Sequence, residues 1–191
     1  MTDEILADGP VGYWPLRGHT NDLSGNGNHL TIHTAGGFAY GYYWPIGDSG
    51  SRGDQLWDTG VAFGAGDWTL EFRIERYDLG AYVSFCDDIA TGAGGQWAGT
   101  GIEWANGAGY TYIAGDPAGY FSHFAAVNSG GTLTVYHGRH YNGGPATIEH
   151  TWTLTGQTGV GNLILGGGHA FYAEVAFFDY ALSEARIEAH F

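Results

Sequence analysis

Residues 68–75 read Trp-Thr-Leu-Glu-Phe-Arg-Ile-Glu, and apolar and polar side chains alternate along this stretch without interruption. Alternation with a period of two is typical of a β-strand that has one face in a core and the other in water. The apolar set, from Trp68 to Ile74, is therefore predicted to face the core. The polar set is predicted to face solvent, where Glu71 and Glu75 form ion pairs with Arg73.

The same alternation recurs along the chain between breaks rich in glycine and asparagine, which predicts a series of short antiparallel strands. Glycine occupies 35 of 191 positions, well above its usual share of about 7%, and favours tight turns. Residues 128–131, Asn-Ser-Gly-Gly, predict a hairpin, and residues 92–95 and 166–168 are interpreted as turns. Further strands are predicted at 12–16, 30–33, 81–86, 101–104, 110–113, 122–127, 132–136, 146–153, 163–166 and 173–179.

The last eleven residues have a different pattern. Ser183 is a preferred N-cap residue, and Leu182, Ile187 and Phe191 follow a helical spacing. We predict one short helix at 181–191. The sequence as a whole predicts a single domain, 1–191, of the all-β class: a two-sheet antiparallel sandwich with one short C-terminal helix.

The charge balance excludes several partners. Asp and Glu number 20 against 6 basic residues, all of them Arg, which gives a net charge of −14. Such a surface repels phosphate and anionic lipid, so neither nucleic acid nor a membrane is an expected partner. The first residues are acidic and lack the apolar run of a secretory signal. The single cysteine, Cys86, leaves no internal disulfide and is predicted to be buried in a strand.

Four segments resemble, in this order, the laminin-G-like jelly-roll domains of the concanavalin A-like lectin/glucanase superfamily. The segments are 13–16 (Tyr-Trp-Pro-Leu) with 21–29, 68–74, 122–127 with 130–136, and 173–183. The resemblance implies a jelly roll of two packed antiparallel sheets in which the first and last strands lie side by side.

Laminin-G-like domains are frequent in the tail and surface proteins of bacteriophages, and this resemblance implies a function. We expect a non-catalytic virion surface protein, either a capsid decoration or a minor tail protein, that docks onto virion capsid or tail proteins within an oligomeric assembly. Adhesion to host cell-surface polysaccharide would be a second role. The alternative is a stand-alone carbohydrate-binding module from a secreted, extracellular protein.

A glucanase is the least favoured alternative. Glucanases of the superfamily place carboxylates at alternate positions of one strand, whereas here Arg73 separates Glu71 from Glu75. These two carboxylates would be about 13 Å apart along a strand, beyond the separation that glycoside hydrolysis uses. The sequence also lacks a nucleophile elbow and a phosphate-binding loop. We therefore predict that the protein is not an enzyme.

The loop 21–28 crowds oxygen ligands of the kind that calcium prefers. Asp22, Asn26 and Asn28 are predicted calcium ligands, since relatives bind calcium near this loop with help from an acidic residue on the closing strand. That position carries Ala173 here, and the adjacent Glu174 should point away. The alternative is that Asp22 and the asparagines hydrogen-bond a turn.

Aromatic residues supply the second candidate site. Trp97, Trp104 and Tyr110 lie in the glycine-rich middle of the chain and are predicted to stack on sugar rings. The alternative is that they belong to the core or to a protein interface. The nine histidines, including His137 and His140, repeat no zinc-ligand spacing, so no transition-metal site is predicted.

Overall fold

A computed structural model describes residues 2–32, 36–39, 42–45, 56–64, 66–76, 83–88, 93–98, 101–106, 110–113, 122–139, 146–155, 161–166 and 170–191. The described residues form antiparallel strands and two short helices, which confirms the all-β class. The elements are α1 (Thr2–Ala7), β1 (Gly12–Trp14), β2 (Thr31–Ile32), β3 (Gly36–Ala39), β4 (Tyr42–Pro45), β5 (Leu56–Phe63), β6 (Trp68–Arg76), β7 (Val83–Asp88), β8 (Ala93–Ala98), β9 (Gly101–Asn106), β10 (Tyr110–Ile113), β11 (Ser122–Ser129), β12 (Thr132–Arg139), β13 (Ile148–Thr155), β14 (Gly161–Gly166), β15 (Ala170–Phe178) and α2 (Glu184–His190).

The strands form two sheets. The first sheet has the order β13-β12-β11-β6-β15-β4-β3, with β1 also paired to β15, and the second has the order β10-β9-β8-β7-β14-β5-β2. The pairing of β1 with β15 places Trp14 opposite Val175. The first and last strands therefore lie side by side, as the resemblance implied.

The core between the two sheets is built from the apolar side chains that alternate along β6. Leu70 and Phe72 are buried together with Phe124 of β11 and Val135 of β12. Leu163 of β14 joins them from the second sheet. Burial of each such side chain contributes about 1.5–3 kcal/mol to stability. The prediction that the apolar side chains of β6 face the core is confirmed.

The prediction for the polar face of β6 was wrong. The side chains of Thr69 and Glu71 are both 0% exposed. A second apolar cluster, which includes Ile5, Ile187 and Phe191, packs over this face of the first sheet. The alternation of residue types along β6 identifies which side chains share a face of the strand. It does not tell whether distant parts of the chain cover that face.

The cover consists of both chain ends, and α1 was not predicted. Ile5 of α1 is fully buried, and Arg186 of α2 links the two helices through ion pairs with Glu4 (3.2 Å) and Asp8 (2.8 Å). Ser183 is the N-cap of α2, as predicted, although its side chain makes no capping hydrogen bond. Neither helix is long and apolar enough to cross a membrane.

The glycine-rich breaks have different structures. The break at 128–131 is a hairpin in which Gly130 (φ 57°) and Gly131 (φ 77°) take the positive φ that a tight type I′ turn requires. The predicted turn at 92–95 was wrong, because Gly94 and Gly95 pair with β7 as part of strand β8. Residues 167–168 and the side chain of Cys86 lie outside the described residues, as does His140.

Candidate functional site

The predicted sugar-binding aromatics lie on neighbouring strands of the second sheet. The backbone of Trp97 in β8 pairs with Ile102 of β9, and that of Trp104 pairs with Gly95 and Thr111. Tyr110 of β10 pairs with Ala105. The structure thus brings these three backbone positions into one three-stranded part of the sheet, and their side chains lie outside the described residues.

The predicted calcium ligands lie in the loop after β1, where the Asp22 carboxylate and the side-chain nitrogens of Asn26 and Asn28 are engaged in hydrogen bonds. Asp22 Oδ1 accepts hydrogen bonds from the Tyr13 (2.9 Å) and Ser24 (2.8 Å) amides. Its Oδ2 accepts from the Ser24 hydroxyl (2.8 Å) and the Asn28 amide (2.9 Å). The side-chain amides of Asn26 and Asn28 donate to the Val11 carbonyl.

Burial alone would raise the pKa of Asp22, but these hydrogen bonds outweigh it and lower the pKa below its usual value. The four bonds use the four lone-pair positions of the carboxylate. A calcium ion would have to displace one of these donors, and calcium binding at Asp22, Asn26 and Asn28 stays a prediction.

Glu174 does not lie where strand alternation placed it. It occupies an irregularity in the pairing of β15 with β6, with a positive φ of 53°. The carboxylate is buried and accepts hydrogen bonds from the Tyr13 hydroxyl and the Arg17 guanidinium. Burial and the charge of Glu174 raise the pKa of Tyr13, so this phenol stays protonated. Residue alternation cannot anticipate such a bulge.

A buried ionisable cluster lies beneath α2. The two carboxylate oxygens of Glu71 lie 3.0 and 2.9 Å from Nδ1 of His190. The Nε2 of His190 is 3.1 Å from Asp8 Oδ2, and the Nε2 of His123 is 3.7 Å from Glu71 Oε2. Glu71, His123 and His190 are at most 1% exposed.

The pKa values in this cluster show how it is held together. Burial would raise the pKa of Glu71, but hydrogen bonds and charge from His123 and His190 lower it. Burial would lower the pKa of His190, and the Glu71 carboxylate raises it instead. The cluster therefore contains an ion pair that fastens α2 to the first sheet. It replaces the solvent-exposed ion pairs predicted for β6, and no substrate can reach Glu71 while α2 is in place.

A ring stack extends the core to the edge of the first sheet. Phe124 stacks on His137 at 4.7 Å between ring centroids. His137 stacks on His150 at 5.8 Å with an angle of 4°, and His150 stacks on Trp152 at 5.5 Å. Burial, followed by the charges of His150 and Arg139, lowers the pKa of His137 to about 3, which keeps its imidazole neutral at ordinary pH. The sequence pattern did not predict this stack, because His137 and His150 become neighbours only through the pairing of β12 with β13.

Comparison with solved structures places this architecture among known folds. The binding domain of botulinum neurotoxin serotype C1 superposes with a TM-score of 0.67 at 11% sequence identity, covering 97% of this chain and 52% of that one. The fold is an all-β jelly roll. A botulinum neurotoxin serotype D ligand-binding domain in complex with N-acetylneuraminic acid gives 0.65 at 12% identity, with coverage of 97% and 52%. Trypanosoma rangeli sialidase in complex with sialic acid gives 0.60 at 10% identity, with coverage of 94% and 32%.

The jelly roll spans about half the length of these toxin domains and about a third of the sialidase. No family model matches the chain, and no curated protein matches it. At these identities the superpositions show the fold alone.

Proposed function

We propose that this jelly roll is a non-catalytic carbohydrate-binding domain. The observation that carries the proposal is the superposition over almost the whole chain on domains that bind sugars. One of them holds N-acetylneuraminic acid, and another comes from a neurotoxin whose cell entry depends on two ganglioside molecules. The fold supplies the scaffold, and the sugar contacts must come from this chain's own side chains.

The binding surface that we propose is the three-stranded part of the second sheet formed by β8, β9 and β10. The register places Trp97 and Trp104 at positions on one face of this part of the sheet, because Trp97 pairs with Ile102, two residues before Trp104 on β9. Tyr110 pairs with Ala105 and therefore falls on the opposite face. Sugar rings present apolar C–H faces that pack on flat aromatic side chains. Antiparallel pairing fixes the relative backbone positions of Trp97 and Trp104, and we propose these two residues as the pair that packs on a sugar.

The charge of the chain favours neutral sugars over sialylated ones. A net charge of −14 repels an anionic ligand. Three arginines already pair with carboxylates: Arg17 with Glu174, Arg139 with Glu149, and Arg186 with Glu4 and Asp8. We therefore propose a neutral glycan as the ligand, in contrast to the acidic sugars of the neighbouring structures.

The geometry of Glu71 supports a binding role without hydrolysis. Glycoside hydrolysis needs two carboxyl groups that flank the scissile bond within reach of the substrate. Glu71 is 0% exposed and engaged with His190, so it cannot act on a polysaccharide. We expect no reducing-sugar release when the protein is incubated with any glycan that it binds.

A glycan array followed by calorimetry tests the proposal. We expect saturable binding to neutral glycans in preference to sialylated ones, and about tenfold weaker binding for Trp97→Ala and for Trp104→Ala. Tyr110→Ala, on the opposite face of the same strands, should bind like the wild type. Leu23→Ala is the control, because Leu23 is 43% exposed and lies outside these strands; its affinity should equal that of the wild type. Failure to bind any glycan at millimolar concentration would contradict the proposal.

The resemblance to bacteriophage surface proteins adds a proposal about context, namely that the domain presents this surface from a virion. The sequence resemblance is its support, since the neighbours named above are toxin domains and a sialidase. Light scattering on the purified chain tests the oligomeric part of this proposal. A self-assembling shell component gives a multimer, and a monomer at all concentrations would argue against that role.

A further inference from the structure

Three metal-ligating side chains meet at the edge of the first sheet. His137 belongs to β12, and Glu149 and His150 are consecutive residues of β13. One ligand atom from each of the three lies within 4.8 Å of the other two. Donor atoms around a tetrahedral zinc ion are about 3.4 Å apart. The imidazoles of His137 and His150 are parallel, so His150 has to rotate out of the ring stack for both rings to point at one ion.

A β-bulge brings the two consecutive residues together. His137 pairs with His150, but the next residue, Gly138, pairs with Ile148, which leaves Glu149 as the extra residue of β13. Neighbouring residues of a regular strand point to opposite faces, and a bulge re-aims one of them. Gly138 permits this arrangement, because a Cβ at that position would lie 2.2 Å from the carbonyl oxygen of Thr147.

A second observation points to a ligand at this place. His137 is 3% exposed, and its Nε2 has no hydrogen-bond partner among the described residues. Buried polar atoms in folded proteins are nearly always satisfied, and an exception calls for an explanation such as a bound ion. Glu149 pairs with Arg139 at 2.8 Å and is only partly buried, while His150 is exposed. The side chains of Glu149 and His150 can therefore rotate towards the buried imidazole of His137.

We propose that His137, Glu149 and His150 bind a divalent transition-metal ion of the zinc class. Two imidazoles and one carboxylate form a donor set that suits Zn²⁺, and water completes the tetrahedron on the exposed side of His150. Hard cations such as Mg²⁺ prefer ligand sets made of oxygen alone. This site lies in the sheet opposite to the proposed sugar-binding strands and does not depend on carbohydrate binding.

Calorimetric titration of the full, tag-free chain with ZnCl₂ tests the site. We expect one Zn²⁺ per chain, at least about 10-fold weaker binding for His150→Ala and for Glu149→Gln, and no binding of MgCl₂. His19→Ala is the matched control, since it removes a histidine from a distant loop, and it should bind Zn²⁺ like the wild type. The variants keep the buried His137, so circular dichroism should show an unchanged fold.

Two results would overturn the proposal. One is a titration that shows no binding at one ion per chain. The other is wild-type affinity in both His150→Ala and Glu149→Gln, which would assign the ion to other histidines. Zinc-edge anomalous diffraction from soaked crystals provides an independent readout, and the anomalous peak should lie between β12 and β13.

Discussion

Replacing Glu71 by Gln removes the negative charge from the buried cluster beneath α2 and changes little else. The carboxylate lies 2.9 Å from His190 Nδ1, and both side chains are 0% exposed. Removing one partner of a buried ion pair costs about 3–5 kcal/mol. Because His190 can respond by losing its proton, we expect the lower value, about 3 kcal/mol. For a chain of this size that corresponds to a fall in Tm of roughly 6–12 °C.

The pH dependence gives the sharper part of this prediction. The raised pKa of His190 means that its contribution is complete below the ordinary value of 6.5 and is lost as pH rises through the folded-state pKa. The lowered pKa of Glu71 means that its contribution is present above 4.5 and is lost as pH falls through the folded-state pKa. The ion pair thus contributes most to stability between pH 4.5 and pH 6.5, the ordinary pKa values of the two groups.

Urea unfolding, followed by tryptophan fluorescence at pH 6 and pH 9, measures both effects. The wild type should lose stability from pH 6 to pH 9, and Glu71→Gln should lose less. Glu188→Gln, an exposed carboxylate on the same helix, should stay within about 0.5 kcal/mol of the wild type and keep its pH dependence. The reasoning fails if Glu71→Gln is as stable as Glu188→Gln at both pH values.

Two further substitutions test local features of the fold. Gly138→Ala should destabilise the protein by about 3 kcal/mol, because the new Cβ would meet the Thr147 carbonyl oxygen at 2.2 Å. The control Gly66→Ala, with nothing within 4 Å of the new Cβ, should change stability by about 0.5 kcal/mol or less. Equal melting temperatures of the two variants would refute the close approach at Gly138. Asp22→Ala should cost about 3 kcal/mol by leaving buried amide donors unpaired, and the exposed Asp179→Ala should be close to neutral in the same denaturant titration. A rise in Tm with CaCl₂ that Asp22→Ala abolishes would confirm the calcium prediction, and no rise in the wild type would contradict it.

The sequence predicts those parts of the fold that depend on neighbouring residues. Alternation along 68–75 identifies the central strand and its core face, and the pair Gly130-Gly131 identifies a hairpin. These signals are local, since strand alternation and turn conformation are set within a few residues. They were sufficient for the fold class and for the positions of many of the strands along the chain.

The remaining features depend on contacts between distant parts of the chain. Glu71 is buried because both chain ends fold over its face, and no pattern within β6 could reveal that cover. Glu174 and Glu149 point where they do because of irregular strand pairing, which depends on the partner strand as much as on the residue. The meeting of His137, Glu149 and His150 could not be anticipated for the same reason, since these side chains come together only when β12 and β13 pair.

The central claim is that this jelly roll binds a neutral glycan on β8, β9 and β10 and leaves it intact. A crystal structure of the protein soaked with the tightest-binding glycan from the array tests this claim most directly. The account predicts an unbroken sugar chain stacked on Trp97 or Trp104. A sugar bound at another surface, or a cleaved product in its place, would contradict it.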